Sequence, residues 1–274
     1  MDTQNVEMRP WFVLLGIALI ARGVIAAEVR DLGVPTGWTA SQYEKHGYDL
    51  LNKYDFENAR RYFDAAIRTD PNMWTAYFNR ATALIRLKKW SAALQDLNST
   101  IRLKPSFLEA SFYRAGVNGI LGNYRASLTD LDLLVRLAVS VRSRVDQSRA
   151  LNSRAWLRAT CPDASIRNGQ MAIADAKKAC ELSKWKWAWQ IDTVAAAYAE
   201  AGDFDSAVRY EQQAISSAGD APQDVYESAA RLFSKRYAKE LAQKEVKDVE
   251  ERRQSFSKHL ELYKQHRPYR ETPQ

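Results

Sequence analysis

The feature that most constrains this chain is a repeat of 34 residues. Pro71 and Pro105 stand 34 apart, as do Phe56, Trp90 and Tyr124, each preceded by a polar residue (Asp55, Lys89, Asn123). Gly47, Ala81 and Ala115 share that spacing; so do Ala59, Ala93 and Ser127, and Arg80 with Arg114. Several registers agreeing on one period mark an array of small units, which must be read before any single motif. Proline cannot continue a helix, so Pro71 and Pro105 punctuate the units. Small residues at Gly47, Ala81 and Ala115 permit close helix approach, and Phe56, Trp90 and Tyr124 fill the space beside a turn. One such hairpin buries too little apolar surface to offset its ordering entropy, so the units must stack.

These residues resemble the tetratricopeptide repeat (TPR) pattern. The resemblance implies an all-α fold: a right-handed superhelical solenoid of helix-turn-helix repeats, ended by a long C-terminal capping helix. Three repeats occupy 40–73, 74–107 and 108–141. The template resumes at 188–221, where Ala195, Tyr198, Gly202, Asp203, Phe204, Ala207 and Ala214 fall at matching offsets. Between them lies a modified repeat, 148–187, with about five extra residues in its turn around Cys161 to Gly169. About six more lie before Ser148, giving a lengthened helix or a junction at 142–147. Residues 155–163, 177–185, 195–204 and 260–271 are similar to a bacterial exported TPR subgroup that is mostly uncharacterised. Residues 222–274 read as the capping helix and tail, with Val225, Ala229, Leu232 and Phe233 as an apolar face continued by Tyr237 and Leu241.

The first 27 residues carry the marks of a secretory signal peptide: Arg9, an apolar run from Trp11 to Ala21, then Ala26 and Ala27. Arg22 cuts that run short of the roughly 20 residues that span a bilayer. A linker, 28–39, follows. The expectation is a periplasmic or extracellular protein without a stable membrane span, the alternative being an uncleaved N-terminal anchor.

Chemistry is hard to find. Nothing sets His46, His259 or His266 at ligand spacing with a carboxylate, so no metal site and no cofactor are expected. Gly116, Gly119 and Gly122 lack the strand–loop–helix setting of a phosphate loop. Asp130 and Asp132 point to different helix faces, which leaves paired-carboxylate chemistry without support. Cys161 at a turn and Cys180 in the following helix stand more than about 10 Å apart along the axis, beyond disulfide reach of roughly 7 Å. Two unpaired, largely buried thiols are expected, and no catalytic residue.

What remains is a surface. The resemblance implies that the first helix of each repeat lines a concave groove that receives a peptide or partner helix. Its positions here are Phe78, Asn79, Thr82, Ile85 and Arg86, then Phe112, Tyr113, Gly116 and Gly119. Asn79 matches a family position that bonds a ligand backbone. Glu44 and Tyr48 replace parts of the carboxylate clamp of some members. Residues 74–147 hold 11 basic against 5 acidic side chains, which suits an acidic or amphipathic partner. The reading is a non-catalytic protein-interaction scaffold. Trp185, Trp187 and Trp189 leave open an accessory carbohydrate-binding role, with packing between repeats as the alternative. A nucleic-acid partner is disfavoured by export.

Overall fold

The computed structural model describes residues 33–218 and 235–271. Every regular element among them is an α-helix. In chain order these are α1 (Ala40–Asn52), α2 (Phe56–Thr69), α3 (Trp74–Arg86), α4 (Trp90–Leu103), α5 (Leu108–Ile120), α6 (Tyr124–Ser140), α7 (Arg144–Thr160), α8 (Gly169–Ser183), α9 (Ala188–Glu200), α10 (Phe204–Ser217) and α11 (Lys235–Lys264). The fold is an all-α solenoid of helical hairpins. The first 27 residues and the apolar face at Val225 to Phe233 lie outside the described residues. No described helix is long and apolar enough to cross a membrane.

The chain forms two compact units, one ending at Asp130 and the other running from Leu131 to Thr272. The division falls inside α6 rather than at 142–147. The extra residues there lengthen the helices: α6 and α7 have 17 residues each, against 14 in α4 and 13 in α5. Extending a helix keeps its added backbone groups hydrogen-bonded, so the insertion needs no loop.

Local chemistry sets the helix ends. Thr39 opens α1 through a capping box with Gln42, and Asp55, Ser143, Asn168 and Asp203 accept from backbone N–H groups at the starts of α2, α7, α8 and α10. The first helix of four repeats ends on a left-handed residue: Tyr54, Lys88, Gly122 and Gly202. After α3, for example, Lys88 N donates to Ile85 O and Lys89 N to Leu84 O, the pattern that satisfies terminal carbonyls while reversing the chain.

In the first unit, buried Tyr43, Leu50, Ala59, Tyr62, Phe63 and Ala66 form one cluster, and Ala81, Leu84, Ala93, Leu97, Ala110 and Val117 the next. A Cβ on Gly47 would stand 2.7 Å from the Phe63 ring. That contact is the close approach its place in the repeat requires. In the second unit Ala195, Ala199, Ala207 and Tyr263 pack together, so α11 contributes to the core beside α9 and α10.

Candidate functional site: the face of the first helices

In the first unit α1, α3 and α5 are the first helices of successive repeats, and side chains link neighbours directly. Asn79 Nδ2 donates to Glu44 Oε1 at 2.7 Å, tying α3 to α1. Burial raises the Glu44 carboxyl above its usual range, and the Asn79 bond opposes that shift. Phe78 meets the Tyr113 ring edge-on at 5.1 Å, tying α3 to α5, and Phe107 at 4.8 Å.

The anticipated groove residues divide by burial. Thr82, Ile85 and Tyr113 are buried; Thr82 Oγ1 donates to Phe78 O, and Ile85 and Tyr113 belong to the core between repeats. Phe78, Asn79, Phe112, Gly116 and Gly119 keep part of their surface accessible, and Arg86 is exposed with its guanidinium 5.3 Å over the Phe56 ring. A Cβ at Gly116 would meet nothing within 4 Å, so the floor is open there.

One repeat position shows what this face does. Tyr48, Thr82 and Gly116 stand 34 apart, and Trp156 follows once the extension before α7 is counted. Tyr48 is 44% exposed, a large ring left in solvent, whereas Trp156 is 2% exposed. The chain's own C-terminal segment covers Trp156: Tyr269 lies 5.9 Å and His259 6.1 Å from it, ring to ring. Glu271 N donates to Thr160 O at 2.9 Å, and Arg270 Nη1 to Ala159 O at 3.3 Å. Arg270 also pairs with Glu200 on α9. In the second unit, then, the segment with Tyr269, Arg270 and Glu271 is held beside Trp156 by tilted ring contact and by hydrogen bonds to the carbonyls at the C-terminal end of α7. The sequence signal was present in Tyr48, but the filling of the second unit's face depends on residues more than 100 positions away.

A second constellation lies beneath α11. His259 Nδ1 is 2.8 Å from Asp192 Oδ1 and 3.9 Å from Glu211 Oε1, and all three side chains are buried. One ligand-type atom from each lies within 4.8 Å of the others. Burial, then the neighbouring Asp192 carboxylate, push Glu211 well above the ordinary carboxylate range. Sequence spacing does not reveal this group, because its members come from α9, α10 and α11. His46 instead packs at 4.5 Å on Tyr62 and edge-on to Trp38, and His266 stacks on Phe204.

Cys161 and Cys180 are both free and buried. Of the three tryptophans, Trp189 is buried, Trp185 stacks on Tyr210 at 6.0 Å, and Lys186 Nζ sits 5.2 Å over Trp187.

Hairpins packed in series, with an accessible face on their first helices, define a helical-repeat protein. Residues 44–106 match the tetratricopeptide repeat family, and the helical hairpins of the chain have the fold of solved tetratricopeptide-repeat structures. Among solved structures it is similar to a tetratricopeptide repeat protein from Parabacteroides merdae (21% identity, 78% of this chain and 79% of that one, TM-score 0.56). MamA from Desulfovibrio magneticus RS-1 aligns over 69% of this chain and 99% of its own at 17% identity, TM-score 0.55. YrrB, described as a TPR protein with an unusual peptide-binding site, aligns over 66% and 88% at 16% identity, TM-score 0.54. No curated protein sequence matched the chain.

Proposed function

We propose that the protein is an exported, non-catalytic scaffold that binds a peptide or helix of a partner protein on the first-helix face of its first unit. The observation that supports this most is the contrast between Tyr48 and Trp156. The same repeat position is 44% exposed in one unit and covered by the chain's own tail in the other. A face that accepts Tyr269, Arg270 and Glu271 in the second unit has the chemistry to accept a comparable segment in the first. Tyr48, Phe112 and the open floor at Gly116 provide apolar contact, and exposed Arg86, within a stretch of 11 basic and 5 acidic side chains, favours an acidic or amphipathic guest.

The reading is tested with Tyr48→Ala and Arg86→Ala in the tagged chain, using partners recovered from its own cell envelope. Loss of a central aromatic or arginine anchor is expected to weaken binding about tenfold or more, with the circular dichroism spectrum unchanged. Unchanged binding in both variants overturns the groove. Fractionation with N-terminal sequencing tests export: a chain beginning near residue 28 outside the cytoplasm supports it, and an intact chain in the cytoplasm overturns it.

A further inference from the structure

We propose that Asp192, Glu211 and His259 form a buried binding site for one divalent transition metal, best matched by zinc, which fastens α11 to the last repeat.

His259 Nδ1 faces Asp192 Oδ1 at 2.8 Å and Glu211 Oε1 at 3.9 Å. Donor atoms this close can converge on one ion with bonds of about 2.0–2.2 Å after small side-chain shifts. Elsewhere in the chain a buried aspartate meets an arginine, as Asp96 meets Arg80 and Asp130 meets Arg114. Here, among the described residues, neither acid has an arginine or lysine partner. Among the described residues, both oxygens of Glu211 and Oδ2 of Asp192 are buried with no donor group within hydrogen-bond distance, and Glu211 faces the Asp192 carboxyl. Two buried carboxylates that share a single imidazole carry a large desolvation cost, and a divalent cation would offset it.

A further polar group points the same way. Among the described residues the wholly buried Tyr263 hydroxyl has no hydrogen-bond partner; burial first, then the charges of Glu211 and Asp192, hold it well above the usual tyrosine range. One imidazole nitrogen with carboxylate oxygens suits zinc; calcium and magnesium prefer all-oxygen shells and, for magnesium, retained water, which this buried site does not favour. The ligands sit on α9, α10 and α11, and 48 positions separate Glu211 from His259. Binding would therefore be coupled to docking of α11, and its free energy would appear as stability.

The rival arrangement uses protons alone: a protonated, neutral Glu211 beside Asp192. Glu211→Gln separates the two, because glutamine mimics the protonated acid in shape and charge but is a poor metal ligand. The full-length protein is purified, its zinc content measured by mass spectrometry, and the chelator-stripped form titrated with Zn2+ and with Co2+, whose visible absorption reports the ligand field. One ion per chain is expected, raising the melting temperature. Glu211→Gln and Asp192→Asn should weaken binding by more than about 100-fold, since loss even of an outer-sphere partner costs about 10–100-fold, while circular dichroism stays unchanged. Equal loading of wild type and both variants would show an adventitious ion only and overturn the site. Failure of wild type to take up either ion, with Glu211→Gln melting at or above wild type, would overturn it in favour of the proton network.

Discussion

Arg80 donates to both carboxylate oxygens of Asp96, 16 residues further along, at 2.7 and 2.6 Å, and reaches back the same distance to Asp64 at 2.7 Å. It thus joins its own repeat's second helix to that of the repeat before. Arg114 does the same with Asp130 and Asn98. Arg154 repeats it with Asp132 and with Asp175, now 21 residues on, because the longer turn adds five residues between the helices. The clamp keeps its geometry while the sequence spacing changes, and it stops at the last repeat, where buried Val194 follows Arg154 at the next matching position.

Replacing Arg80 with Met should leave Asp96, only 3% exposed, without its counterion. The expected loss is about 3 kcal/mol, read as a shift of the urea midpoint. Burial already raises the Asp96 carboxyl, and Arg80 restrains that rise. Without Arg80 its folded pKa climbs further above the unfolded value. The penalty should then be small below about pH 4 and grow as pH rises toward the folded pKa. A deficit that does not change between pH 4 and pH 7 would contradict this.

Lys88 holds φ at 58° where Gly122 and Gly202 hold the same turn position in later repeats. A Cβ in that region is strained, and Lys88 is exposed, so its side chain packs little. Lys88→Gly relieves about 1–2 kcal/mol of left-handed strain against an unfolded-state entropy cost of about 0.4–1 kcal/mol, so it should stabilise the protein slightly, visible as a higher urea midpoint without a change in helix content.

Burial pushes the Cys161 thiol up to about 11 and Cys180 to about 12. At pH 8 the native protein should hold about 100-fold less Cys161 thiolate, and about 1,000-fold less Cys180 thiolate, than free cysteine does. Iodoacetamide followed by mass spectrometry should therefore leave both unmodified in the folded chain and alkylate both in urea. Fast native labelling of either would show that it is accessible after all.

Much of this architecture was legible in the sequence, because each repeat specifies itself locally. The 34-residue period, the small residues at Gly47 and Ala81, the prolines and the turn residues each act within a hairpin or on its neighbour. A one-dimensional pattern can therefore express them. The insertions at 142–147 and 161–169 were also visible as breaks in register, though only the coordinates show the first absorbed into longer helices.

What the sequence could not state is which of the repeated positions stay open. Thr82, Ile85 and Tyr113 occupy groove offsets yet are buried, Ile85 and Tyr113 in the core between repeats. Tyr48 remains exposed, and Trp156 at the same offset is sealed by a tail that begins more than 100 residues later. The grouping of Asp192, Glu211 and His259 is equally non-local: no period relates them, and only the docking of α11 removes them together from water. Short-range periodicity determined the helices and their order; burial and long-range contact decided which side chains can meet a partner, a proton or an ion.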